Sequence, residues 1–317
     1  MALDDVDLSS MDDLDDAPTP IDSPVAPDAA TDATRDAGVD VVPTSPITAR
    51  GGTVDLMHFG VFGDVRPPNE NETASYPTAI VSQVFDGMTA LNAQFAVGTG
   101  DYMFANVASA VNAQLDALTG AQHTHFANHI FFAMGNHECT GGDASNCPSG
   151  NETSNVMAFR SRLISDQSAL WYDFTIHTSL GDAHFIVTSE NAWGTPQSTW
   201  FNTAMAARAM YTIVVAHEPP TAFTQGPGGL PTETAIAMRT GGVSLRLYGH
   251  THEYRRINPN GVVAGNAGAT LSPTGVYGFV MVDQRRDGNL VVTAYGLGRP
   301  PAPVESWVVT PGGAATR

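Results

Sequence analysis

The sequence contains no lysine, and all 14 of its basic residues are arginine. No basic cluster is longer than the pairs Arg255–Arg256 and Arg285–Arg286. A nucleic-acid-binding face built on positive charge is therefore excluded. Long apolar runs are missing too: none approaches the ~20 residues that a helix needs to cross a bilayer. Cysteine is nearly absent, with only Cys139 and Cys147 in 317 residues. These two lie close together around a glycine-containing loop, and joining them would contribute roughly 2.5 kcal/mol in the loop-entropy model. A disulfide is expected there, and with it a compartment outside the cytoplasm.

The first fifty residues lack aromatic side chains altogether. They carry twelve Asp against two Arg, more than half of the chain's net charge of −18. Such a segment of Asp, Pro, Ala, Ser and Thr buries too little apolar area to offset the loss of chain entropy. Residues 1–50 are thus expected to be a disordered acidic tail, and residues 51–317 a folded domain. A spacer of this kind ahead of a domain suits a secreted, periplasmic or lipid-anchored protein whose targeting segment has been removed.

From residue 53 onward, strand and helix signals alternate. "TVDLMHFGVFGD", "QFAVGTGD" and "HIFFAMGNHE" read as strands ending in small and polar residues. Between them, "YPTAIVSQVFDGMTALN" has helical spacing at Ile80, Val84 and Met88, and "NVASAVNAQLDALTG" reads as a helix closed by Gly120. "LWYDFTIHTS" and "AHFIVTSENA" read as adjacent antiparallel strands. Helices near 197–207 and 233–239 lead into the strands "YTIVVAHEPP" and "SLRLYGHTHEY". The last quarter reads as a hairpin turning at Asp287–Gly288. This alternation, with strand pairs late in each half, points to an α/β sandwich.

Five strand ends share one signature: an apolar run, a small residue, then a side chain able to bind a metal. They are Gly63–Asp64, Gly100–Asp101, Gly135–Asn136–His137, Ala216–His217 and Gly249–His250–Thr251–His252. The carboxyl ends of sheet strands are where open α/β folds place chemistry. Two carboxylates, an amide oxygen and four imidazoles suit hard or borderline divalent ions. Where a glycine precedes the ligand, it is expected to let the backbone turn sharply beside the ion.

In order and spacing, "GDVR", "GDYMF", "GNHE", "VVAHE" and "GHTH" resemble the blocks of the calcineurin-like metallophosphoesterases, over residues 63 to 252. The resemblance implies an α/β fold, a four-layer α/β/β/α sandwich of two mixed sheets flanked by helices. It also implies two divalent ions, of Mn, Zn, Fe or Ni. Asp101 would bridge them. Asn136, His217 and His250 would complete the shell of one ion, and Asp64 and His252 would hold the other. The implied reaction is hydrolysis of a small phosphate ester, mono- or diester. Hydroxide between the ions would be the nucleophile and His137 the general acid.

Two departures from those blocks stand out. Arg66 takes the place of a ligand histidine, and Phe104 that of the tyrosine found in purple acid phosphatases. Neither side chain can ligate a metal. The position fed by Asp64, Asp101 and His252 is therefore expected to bind its ion weakly. Arg66 is free to grip a phosphoryl group through two parallel hydrogen bonds, or to pair with a neighbouring carboxylate. His123, His125 and His129 resemble a metal cluster but are expected to play surface or packing roles. The alternative to an enzyme is a non-catalytic metal-binding surface protein that retains the fold. Such a protein would have no use for His137, which lies outside the ligand set.

Overall fold

The computed structural model describes residues 45–140, 147, 153–219, 242–257, 259–273, 275–313 and 315–316. Most of the acidic segment and the helix expected near 233–239 lie outside these residues. The described chain begins with two short antiparallel strands, Ser45–Thr48 (β1) and Gly51–Thr53 (β2). Ile47 packs on the hydrophobic core, so the folded part starts ahead of residue 51.

The first half alternates strand and helix: His58–Phe62 (β3), Thr78–Ala90 (α1), Phe95–Gly98 (β4), Ala108–His125 (α2) and Ile130–Phe132 (β5). A short helix His137–Thr140 (α3) and the helix Ser154–Leu163 (α4) follow. The second half begins with the hairpin Tyr172–Thr178 (β6) and Gly181–Val187 (β7), then the helix Thr195–Ala206 (α5). Four strands come next: Tyr211–Val215 (β8), Leu245–Tyr248 (β9), Tyr254–Ile257 (β10) and Gly261–Ala264 (β11). The last four are Gly278–Gln284 (β12), Leu290–Gly296 (β13), Ala302–Val309 (β14) and Ala315–Thr316 (β15).

These strands form two mixed sheets. One runs β1-β2-β6-β7-β8-β9-β11-β10, the other β15-β14-β13-β12-β3-β4-β5. Strands β3, β4 and β5 are mutually parallel, as are β7, β8 and β9. Because the side-chain period of a strand is two, each sheet has two faces to bury. On β3, Phe59 points between the sheets and meets Phe185 of β7 edge-on at 5.3 Å. Phe62, three residues on, points outward and meets Phe85 of α1 at 5.2 Å. Phe95, Phe174 and Phe185 extend the aromatic layer between the sheets. On the far side of the larger sheet, Ile186, Val214, Tyr248 and Val263 pack against Trp193, Phe201 and Ala204. Two sheets face to face with helices outside them are the expected α/β sandwich.

One expectation fails. The second helix does not close at Gly120 but continues to His125. Gly120 faces open space while Leu115, Leu118 and Ala121 anchor the buried stripe, so one glycine is tolerated in the interior. No described helix is long and apolar enough to cross a membrane.

Candidate metal centre

Parallel strands put their carboxyl ends on one side. Asp64 follows β3, Asp101 follows β4 and Asn136 follows β5, all from the smaller sheet. His217 follows β8 and His250 follows β9, both from the larger. The loops are tied together by their backbones: Asp64 N–H donates to Gly100 O and Gly249 N–H to His217 O. Gly100 turns where the sequence pattern suggested, at φ 115°, but most of the turning falls on the ligands. Asp64, Asp101, His250 and His252 themselves adopt positive φ, at 57°, 61°, 73° and 48°. These values are uncommon for residues other than glycine and cluster at functional sites. The glycines serve mainly as clearance. A Cβ on Gly135 would fall on Asp101 Oδ1, and one on Gly249 would lie 2.6 Å from Asp64 Oδ2.

The side chains converge in two groups, Asp101–His217–His250 and Asp64–Asp101–His252. In the first, Asn136 Oδ1 lies 3.0 Å from His217 Nε2 and 3.1 Å from His250 Nδ1. Those two nitrogens are 3.2 Å apart, and Asp101 Oδ1 is 3.3 Å from His217 Nε2. Donor atoms spaced at 3.0–3.3 Å are as far apart as ligands that share one ion at about 2.0 Å, the ordinary metal–nitrogen and metal–oxygen distance. A carbonyl can only accept, so the 2.8 Å contact of His217 Nδ1 with Thr99 O places a proton on Nδ1 and turns Nε2 inward. Two oxygens and two imidazole nitrogens aimed at one point fit a divalent ion.

The electrostatics agree. Burial lowers the proton affinity of His217, but Asp101, Asp64 and Glu190 together raise it more, and the ring holds its proton well above the usual histidine range. A cation is therefore favoured at this point. Burial pushes the Asp64 carboxyl up to about 8, with His217 opposing and Asp101 reinforcing the shift. His250 and His252 are held down near 4, chiefly by burial, then by the charges of His217 and Arg66 respectively. Both are neutral at neutral pH.

The second group looks different. The Nδ1–H of His252 donates to Thr270 O at 3.0 Å, which turns Nε2 toward Asp64 Oδ1 at 3.6 Å. Arg66 enters here: its Nη2 is 3.1 Å from His252 Nε2 and its Nε is 3.6 Å from Asp101 Oδ2. Its guanidinium lies 4.8 Å from the centre of the Phe104 ring. The same ring meets His137 edge-on at 4.7 Å. His137 sits beside the ligands, its Nε2 3.8 Å from Asp101 Oδ2 and its backbone N–H donating to Asp101 Oδ1.

Other residues matter that the ligand pattern does not contain. Glu138 is fully buried and accepts the backbone N–H groups of Gly135, Asp101 and Tyr102 at 2.7–2.9 Å. It clamps the β4 and β5 loops together, and its position next to His137 was the available sequence signal. The carbonyls of Thr99 and Thr270 orient two histidines, and no sequence signal marks them. Tyr102 points away from the site: its hydroxyl accepts from Gly100 N–H, and its ring stacks on Phe159. Cys139 and Cys147 are joined as a disulfide. His125, at the end of α2, pairs with Asp86 of α1, and His129 packs on Phe131, so the "HTHFANH" histidines do not form a cluster.

Of the solved structures, the purple acid phosphatase PPD1 from yellow lupin (Lupinus luteus) seeds aligns with a TM-score of 0.60 at 16% identity. The alignment covers 84% of this chain but only 55% of the lupin protein, so it bears on the fold alone. The calcineurin-like phosphoesterase YfkN from Bacillus subtilis aligns with a TM-score of 0.35 at 12% identity, over 83% of this chain and 93% of that one. No curated protein sequence matches significantly. The sequence profile described as calcineurin-like phosphoesterase matches residues 57–254, from the approach to the first ligand through the last. That span is well over half of the chain, and the protein belongs to the calcineurin-like phosphoesterase family.

Proposed function

We propose that the protein hydrolyses small phosphate esters, mono- or diesters, at a centre in which Asp101, Asn136, His217 and His250 hold a divalent ion. The observation that carries this reading is the convergence of those four donors, from four loops of two sheets, with the other three at 3.0–3.3 Å from His217 Nε2. When bound, such an ion supplies a nucleophile from water at neutral pH and offsets charge on the phosphoryl oxygens.

The remaining work falls to the chain. His137 donates a proton to the departing oxygen, the Phe104 ring and Asp101 fixing its plane. Arg66, a permanent cation with parallel N–H donors, binds a phosphoryl oxygen from the side of His252. Asp64 joins the loops, both its oxygens accepting the His250 backbone N–H at 2.8 and 3.0 Å. The Cys139–Cys147 disulfide supports an extracytoplasmic location.

The test is hydrolysis of p-nitrophenyl phosphate and its bis ester by metal-stripped protein, with Mn²⁺, Zn²⁺, Ni²⁺ or Fe²⁺ restored in turn. Turnover with at least one ion, lost in Asn136→Ala and His217→Ala, is the expected result. A folded protein inactive with every ion would instead favour the non-catalytic metal-binding protein.

A further inference from the structure

We propose that Arg66 is a built-in cation: its guanidinium takes the position that Asp64, Asp101 and His252 would otherwise offer to a second metal ion, and the centre holds one ion per chain. The inference rests on the phosphoesterase reading above and concerns how that site is charged.

Three observations converge. First, His252 has one lone pair to give. With Nδ1–H donated to Thr270 O, only Nε2 can accept, and Arg66 Nη2 lies 3.1 Å from it. Guanidinium only donates, so the bond consumes that lone pair. Second, Asp64 spends part of its acceptor capacity on the backbone, because both of its oxygens share the His250 N–H. Third, the guanidinium is held rather than dangling. It lies 4.8 Å from the Phe104 ring centre, faces Asp101 Oδ2 through Nε at 3.6 Å, and its side chain is only 15% exposed. The residue after it is Pro67, which biases Arg66 toward an extended backbone.

The two departures seen separately in the sequence thus form one device. Phe104 supplies the face on which Arg66 lies, and Arg66 supplies the charge. One divalent ion and one guanidinium against Asp64 and Asp101 leave the pocket cationic, as an anionic ester requires. A guanidinium keeps its charge at any working pH and cannot be removed by a chelator.

The test is metal stoichiometry, which does not depend on turnover. Metal-stripped full-length protein is titrated with Mn²⁺, and bound ions per chain are counted by calorimetry and elemental analysis. Electron paramagnetic resonance then distinguishes an isolated ion from a spin-coupled pair. Wild-type protein should bind one ion with the spectrum of an isolated centre. Arg66→Ala and Arg66→His should bind two and show coupling. Two ions of comparable affinity in the wild type, or one ion in both variants, would overturn the inference while leaving a metal-dependent hydrolase intact. No ion in the wild type would overturn the phosphoesterase reading with it. Should the Arg66 variants fail to fold, Phe104→Leu removes the platform alone. A second ion should then enter, and its continued exclusion would count against the proposal.

Discussion

His137 differs from the other imidazoles of the pocket in what its ring faces. His217 and His250 meet at Asn136 Oδ1, whereas His137 lies against Phe104 and Asp101. A proton donor outside the ligand set predicts a clean separation. His137→Ala should lower kcat by about 10²–10⁴-fold, the usual range for a lost general acid, with metal content unchanged. Loss of metal in that variant would show His137 to be a ligand instead. Glu190 makes a second residue-scale prediction. Burial pushes its carboxyl up to about 8 from 4.5, and it accepts the Glu218 backbone N–H next to His217. The folded state therefore keeps a proton that the unfolded chain releases near 4.5. The associated stability is full below about 4.5 and is lost as pH rises through about 8. Glu190→Gln keeps an acceptor and carries no charge, so melting temperature against pH, in metal-stripped protein, should flatten across that window.

At the scale of elements, what was legible in the sequence follows from how local each signal is. The ligand-bearing ends of β3, β4, β5, β8 and β9 were readable because an apolar run followed by a small and a polar residue needs no tertiary information. The β12–β13 hairpin was readable from Asp287–Gly288, and Gly288 indeed adopts φ 81°. Strands β10 and β14 were not. The first contains Arg255 and Arg256 and pairs on one side only, and the second follows prolines and includes Pro303, tolerable toward the margin of a sheet. The glycines were half read. Gly100 makes the expected turn at φ 115°, but the other positive φ values of the site fall on the ligands Asp64, Asp101, His250 and His252, which no pattern of residue types reveals. Two substitutions separate clearance from helix propensity. Gly135→Ala forces a Cβ onto Asp101 Oδ1 and should weaken metal binding, measured by titration. Gly120→Ala, in open space on α2, should stabilise the protein by about 0.5–1 kcal/mol in urea unfolding.

For the whole molecule, the centre joins two sheets. Asp64, Asp101 and Asn136 come from one, and His217 and His250 from the other, so an ion bound here ties the open end of the sandwich. Binding to the folded state alone stabilises by mass action, about 2.7 kcal/mol at a hundredfold excess over Kd. In a domain of this size that corresponds to a fall of about 5–10 °C in Tm on chelation, read by scanning calorimetry. Equal Tm with and without the ion would place the binding elsewhere. The sequence predicted which side chains meet. Pairing of Arg66 with a carboxylate was one of its two expectations, and Asp101 is that partner. The contacts with Phe104 and His252 were not legible, because a long side chain with many rotamers is placed by its surroundings.

Phe104 carries one more consequence, this time optical. A phenyl ring has no oxygen to share electrons with ferric iron, and Tyr102 next to Asp101 is turned into the core. Loaded with iron and exposed to air, the protein should stay pale, without the purple band that a phenolate on ferric iron produces. A strong absorbance in the visible would mean that a tyrosine had reached the iron by a route closed in this fold.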